Sequence, residues 1–377
     1  MARNVQNRLT QLRSRRRGTD SFQRLALDEQ VDLLAKSAGD ERWEKRASAQ
    51  PNTRYALGAM QEVGPDYTRI SIDTAKRVAT QLKTALTTLG NPIDFRLQGS
   101  VLLNVHIKGV SDVDLLVLDG TFFTYATAGL WSQQGRYTSP TSRTAYGVLS
   151  TLRGQVEGTL KTKYPAATVE TSGGKAVKIS GGSLARPVDV VPSHWFDTME
   201  YQRTNDETNR AVQILDKKTS TVLANFPFLH AKRIRQQDVS TGGGLCKAIR
   251  LCKNVKSDAE SEGTSVALPS FDIASVMYHA NAAALQRGQI NELAILTETQ
   301  RHLDYLATNH EAAQKLLIPD GSRLIFDTQK KLRGLNALSV EMDDLLGEVA
   351  KEQIPLIGSS LSAPQSRAYL DGVTLAP

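Results

Sequence analysis

Ser111-Asp112-Val113-Asp114-Leu115-Leu116-Val117-Leu118 is the stretch on which the fold turns. An aliphatic, β-branched run closed by Asp119-Gly120 reads as a buried strand ending in a turn. Strand residues two apart leave the same face, so Asp112 and Asp114 project together while Val113 and Leu115 point to the other side. Two carboxylates held side by side raise each other's pKa unless a cation neutralises them, and a hard divalent ion such as Mg2+ does so.

Upstream, a short extended segment from Asp94 to Leu97 runs into Gln98-Gly99-Ser100. At a strand-to-helix junction, glycine admits close backbone approach, and the amides with the Ser100 hydroxyl make a phosphate nest. Downstream, Arg186-Pro187-Val188-Asp189-Val190-Val191-Pro192 sets a lone acid in an apolar strand, and Asp189 faces a core unless it faces a site. Taken singly, each acid is better read as structural: Asp112 as a turn or cap residue, Asp114 as a surface acid, Asp189 as the partner of Arg186. A Gly-Ser pair alone is equally common in loops. Together, three acids converging from neighbouring strands can bridge two metal ions about 3.5 to 4 Å apart beside bound phosphate.

Around this centre, Ile72, Ala75, Ala79, Leu82 and Leu86 recur at helical spacing until Gly90-Asn91-Pro92 stops them, and Ala145, Leu149, Leu152, Val156 and Leu160 mark a second amphipathic helix ending near Tyr164-Pro165. Between Thr168 and Val191 the pattern changes to strands over 168–170, 175–179 and 184–191, an antiparallel meander. Beyond about Asn205 the signal is mostly helical, with stretches at 242–257, 270–285, 288–308 and 323–352. The expected architecture is α+β and bilobal: an N-terminal arm and helical segment over 1–55, an α/β lobe with a mixed or antiparallel sheet over 56–205, a helical lobe over 206–357, and a loosely held tail over 358–377.

The 46 Lys plus Arg outnumber the 39 Asp plus Glu, for a net charge of +7, which modestly favours anions such as phosphates without establishing nucleic-acid binding. Part of that excess is Arg13, Arg15, Arg16 and Arg17 before Gly18, read as a solvated, frayed arm rather than a nucleic-acid clamp. Cys246 and Cys252 share one apparent helix at a separation too long for a disulfide, which fits a reducing compartment and does not fit zinc. None of the six histidines stands at metal-ligand spacing, and His194 and His230 read as structural. No window approaches the roughly 20 apolar residues of a membrane span, and the N-terminus lacks an apolar signal core, so a soluble, cytoplasmic protein is expected.

In order and spacing, Gly99-Ser100, Asp112-Val113-Asp114 and Asp189 resemble the signature of the DNA polymerase β-like nucleotidyltransferases. Gly242-Gly243-Gly244-Leu245-Cys246-Lys247-Ala248-Ile249-Arg250-Leu251-Cys252-Lys253, Pro269-Ser270-Phe271-Asp272 and Asn225-Phe226-Pro227-Phe228-Leu229-His230 are similar to segments of the cGAS/DncV-like branch, the CD-NTases. The resemblance covers roughly residues 70 to 290. It implies Asp112, Asp114 and Asp189 as catalytic metal ligands for two Mg2+, with Mn2+ as a substitute, and Gly99, Ser100, Arg250, Lys253, Ser270 and Phe271 as nucleotide-binding residues. Lys253 then contacts the triphosphate, with Arg250 on the same helix face. Ser270 contacts phosphate and Phe271 stacks on a base, where tyrosine is familiar in the family and phenylalanine lacks its hydroxyl. Their structural alternatives are a solvated helix face for Arg250 and Lys253, an N-cap for Ser270 and a core aromatic for Phe271.

The implied activity joins nucleoside triphosphates of the ATP/GTP class into a cyclic oligonucleotide second messenger, releasing pyrophosphate, in bacterial antiphage signalling. A separate effector protein reads the product. The alternatives are a nucleotidyltransferase acting on an RNA end, a protein or a small molecule, and a noncatalytic nucleotide-sensing module. A 3′-end polymerase needs a basic track for its primer, and none is dense outside the N-terminal arm.

Overall fold

The computed structural model describes residues 4–17, 41–107, 112–355 and 361–375. Gly18, Ser111 and Ser359-Ser360, named above, lie outside them. The chain forms two compact units, one of residues 64–102 and 111–232, the other of 1–63, 103–110 and 233–377. It therefore passes between the units more than once.

The first unit is built on a seven-stranded mixed sheet: β1 (Ile93–Gln98), β2 (Val113–Tyr125), β3 (Thr168–Glu170), β4 (Val177–Ser180), β5 (Val188–Asp197), β6 (Ala211–Asp216) and β7 (Thr221–Asn225). The main path runs β1-β2-β5-β4-β3, and β6 extends from the far half of β5 and carries β7. Among the described residues only the β2–β5 pairing is parallel, and it requires the long crossover that contains the helix Ala145–Lys163.

Alternation along the strands sorts the side chains onto two faces. Val113, Leu115, Val117, Val177, Ile179, Val188 and Val190 share one apolar layer, closed by Ala75, Val78, Leu82 and Leu86 of the helix Pro65–Thr88 and by Leu152, Val156 and Leu160 of Ala145–Lys163. The other face carries a smaller cluster of Leu116, Leu118, Val191, Trp195, Val212 and Ile214, with Phe228 packed against it.

Within this unit two details differ from the sequence expectation. The strand expected to stop at Asp119-Gly120 continues through an irregularity between Leu118 and Phe123 to Tyr125, because the Gly120 amide bonds to the Pro92 carbonyl and β5 keeps pairing to Asp197. The expected helical territory after Asn205 opens instead with the β6–β7 hairpin. Its turn carries no glycine and places Ser220 at φ 55°, so the usual hairpin signal is missing.

The second unit is helical, with Pro51–Met60, Gly244–Ser261, Ser270–Tyr278, Leu293–Thr308 and Gln329–Gln353 among its elements. The basic arm is not frayed. Val5–Arg17 is a helix that buries Leu9 and Leu12, and Arg15 makes a bidentate pair with Asp258 at 2.5 and 2.8 Å. The Tyr55 hydroxyl donates to the same carboxylate at 2.5 Å. An arginine run read as solvated is thus partly an interior ion-pair set, with Arg8 reaching Glu262 and Glu341. Nor is the tail loose throughout: Ala363–Leu370 is a capped helix with Leu370 fully buried, and Asn291 donates to the Leu370 carbonyl. Cys246 and Cys252 are buried, free thiols within one helix, and burial raises the pKa of both. No helix among the described residues is long and apolar enough to cross a membrane.

Candidate active site

The parallel register sets Asp114 directly beside Asp189, and the antiparallel β1 sets Gln98 beside Asp114. Across β4 and β3 the same row continues through Lys178, opposite Asp189, and Glu170, opposite Lys178. Because register partners share a face, Gln98, Asp114, Asp189, Lys178 and Glu170 form one polar row across five strands, beside the smaller apolar cluster. Asp112 precedes β2 on the Asp114 side. The acids expected from sequence to converge do lie on one face.

Gly99 follows β1 immediately and opens the short helix Gly99–Leu102. Its φ is +78°, and a Cβ there would stand 2.0 Å from Oδ2 of Asp114. Only glycine leaves room for that carboxylate, so the turn and the acid are built as one piece. Gly99 is exposed and Ser100 partly so.

Electrostatically the acids act on one another. The pKa of Asp189 is raised, first by burial and then by the Asp112 charge, with Lys178 opposing. Lys178 donates from Nζ to Oδ2 of Asp112. Partial burial works against its ammonium, but the hydrogen bond and charge of Asp112, then the charges of Asp189 and Glu170, outweigh it and raise the Lys178 pKa. Arg186 does not pair with Asp189: its guanidinium stacks over Tyr67, 4.0 Å from the ring centroid. That disposes of the simplest structural role for Asp189.

Among the described residues no three His, Cys, Asp or Glu side chains enclose an ion site as they stand. The donor chemistry nevertheless suits a divalent cation: Asp114 and Asp189 are register neighbours, Asp189 lacks a full counter-charge, and an ammonium already stands on Asp112. Gln98 adds a buried Oε1 with no hydrogen-bond partner among the described residues.

The remaining expected residues belong to the helical unit. Arg250 and Lys253 are buried on the helix Gly244–Ser261, not solvated. Arg250 donates to the Met60 and Asn104 carbonyls, both at 2.7 Å, and Lys253 Nζ to the Val105 carbonyl at 2.8 Å. These bonds hold the backbone just after the Gly99–Leu102 helix in the chain. Ser270 is exposed at the first turn of Ser270–Tyr278, whose N-cap is Pro269, so the capping alternative for Ser270 falls. Phe271 is 37% exposed, which removes the core-aromatic alternative, and the Arg323 guanidinium stands 5.5 Å from its ring centroid. His194 is buried, with its pKa lowered by burial, and His230 is buried too.

Sequence reasoning missed Lys178 and Glu170. Lys178 sits in Ala176-Val177-Lys178-Ile179, whose alternation puts it on the polar face, but only the β4–β5 register shows which acid it meets.

An α+β sheet presenting paired acids from parallel neighbours, beside a glycine turn moulded to one of them, defines the palm of a polymerase β-like nucleotidyltransferase. No family model matches the chain. It is 41% identical over 356 residues, 92% of each chain, to the cyclic dinucleotide synthase CdnE of Yersinia aleksiciae. A STING-associated CdnE c-di-GMP synthase from Capnocytophaga granulosa superposes with a TM-score of 0.67 over 91% of this chain and 97% of its own, at 26% identity. One from Flavobacteriaceae sp. has a TM-score of 0.70 over 93% and 99%, at 22% identity, and so bears on the fold alone. This chain belongs to the CD-NTase family of nucleotidyltransferases.

Proposed function

We propose that the protein joins two nucleoside triphosphates into a cyclic dinucleotide, with Asp112, Asp114 and Asp189 as the catalytic acids. Support comes chiefly from the register that sets Asp114 beside Asp189 against the Gly99 turn. The three carboxylates would hold divalent ions, Mg2+ or in its place Mn2+, which when bound lower the pKa of the attacking hydroxyl and offset charge on the phosphates.

The residues themselves do the positioning. Gly99 and Ser100 present backbone amides and a hydroxyl to the triphosphate, in the manner of a nest. The acceptor ribose hydroxyl forms a bond to the α-phosphorus as the α–β bridging bond breaks, pyrophosphate leaves, and the hydroxyl proton passes to an Asp189 oxygen and on to water. A second transfer in the reverse sense closes the ring and releases a second pyrophosphate. Arg250 and Lys253 support the segment after the turn, Ser270 offers an exposed hydroxyl to phosphate, and Phe271 an exposed face to a base. The Capnocytophaga granulosa relative is a c-di-GMP synthase, so GTP is the first substrate to try, then ATP. That relative is also STING-associated, which supports a separate effector as reader of the product in antiphage signalling.

The test is incubation of purified protein with labelled GTP or ATP and Mg2+, followed by phosphatase. Phosphatase-resistant label that is lost in Asp189→Asn supports the proposal. Label transferred instead to added RNA, or the same yield from Asp189→Asn, overturns it.

A further inference from the structure

Lys178 belongs to none of the expected roles, yet its ammonium stands at the carboxylates. Its ammonium is bonded to Asp112, its register partner is Asp189, and both Asp189 and Glu170 act on its charge. It lies on β4, a short strand held between β3 and β5, so its backbone cannot leave without unpairing the sheet. The side chain has more freedom: it is 41% exposed, against 26% for Asp112. A four-carbon stem anchored on a fixed strand with a half-exposed head can swing while the fold stays put.

We propose that Lys178 is an internal counter-ion that holds the acid row in its metal-free state and must release Asp112 for a divalent ion to enter. This rests on the carboxylate reading given above. Four carboxylates in a row, Glu170 included, would repel one another with nothing between them. A lysine offsets that repulsion and, as a compact monovalent charge, gives way to a divalent ion with more ligands. Arginine at 178 would be harder to displace, because its planar fork can hold Asp112 with two parallel bonds. Lys178 is therefore a positioning residue: it acts through Asp112 and sets how readily the site loads.

Mn2+ binding to the full-length protein, followed by the electron paramagnetic resonance signal of free Mn2+ and independent of turnover, tests this. Lys178→Met, which keeps the stem and removes the charge, is expected to bind Mn2+ about three- to tenfold more tightly than the parent, the scale of losing one partly exposed ion pair as competitor. Lys178→Arg is expected to bind more weakly than the parent. Without metal, Lys178→Met should melt at lower temperature, and Mn2+ should close the gap. If the parent binds Mn2+ in an Asp189-dependent way but Lys178→Met binds equally or less tightly, the lysine proposal is overturned and the carboxylate reading stands. If parent binding does not depend on Asp189, the carboxylate reading itself fails. Lys178→Gln provides the same comparison should the methionine variant fold poorly.

Discussion

Two carboxylate clusters in this protein obey opposite rules. In the helical unit, Asp258 is fully buried and fully answered: Arg15 grips both its oxygens and the Tyr55 hydroxyl donates to it. Burial and the Asp258 charge push the Tyr55 pKa well above its usual value, so the hydroxyl proton stays where it is needed. In the sheet unit, Lys178 is bonded to Asp112 and stands opposite both Asp189 and Glu170, and burial with the Asp112 charge raises the pKa of Asp189. A buried acid whose charge is cancelled by its own fold is structural. An acid row in which one charge raises its neighbour's pKa is suited to receive positive charge from outside.

The comparison can be broken by experiment, most severely at the sheet. Asp189→Asn is expected to lower turnover by about a thousandfold, the scale of losing a principal charge-stabilising group, while the melting temperature stays within a few degrees or rises as a like charge is removed. A large loss of stability instead would place Asp189 with Asp258 among structural acids. Asp258→Asn should do the reverse, destabilising the protein by about 3 kcal/mol in denaturant titration because Arg15 is left buried beside a neutral amide. Less than about 1 kcal/mol would show the cluster to be as dispensable as a surface pair.

A third prediction sharpens the helical side. Burial lowers the pKa of His302 to about 4, with its Nε2 against the Val276 carbonyl. A base depressed in the folded state binds fewer protons there than unfolded, so stability falls as pH drops from about 6.5 through about 4, by an upper bound of about 3 kcal/mol. His302→Gln should flatten that slope in melts taken between those pH values; an unchanged slope would remove His302 as its source. The smallest effect is Gly99→Ala, expected to lower kcat/KM about tenfold by displacing the Asp114 carboxylate, with a drop of a few degrees in melting temperature because alanine is strained at this positive φ. Unaltered kinetics would mean the turn and the acid are not coupled.

What sequence could and could not show follows from the range of the interactions. Local periodicity located the two helices that cover the sheet, and Thr168–Glu170 appeared where alternation placed it. Two-residue spacing put Asp112 and Asp114 on one side. Pairing Asp114 with Asp189 depends on a parallel register across a long crossover, which no local pattern encodes. Lys178 meets its acids through the antiparallel β4–β5 register, which its own alternation does not specify. Arg15 was misread because an arginine run looks solvated until a buried carboxylate from far along the chain meets it. The β6–β7 hairpin has no glycine in its turn, so its short alternation does not stand out from a region that otherwise reads as helical.

The single parallel seam between β2 and β5 has a final consequence. Asp114 and Asp189 are neighbours only because the two strands are in step, and on either side of Asp189 stand valines that belong to the opposite layer. A one-residue insertion within either strand would turn an acid into the oily side and bring a valine out in its stead. The excursion between the strands carries no such constraint, so this protein should accept lengthened or shortened loops at 135–144 far more readily than a single added residue between 188 and 191.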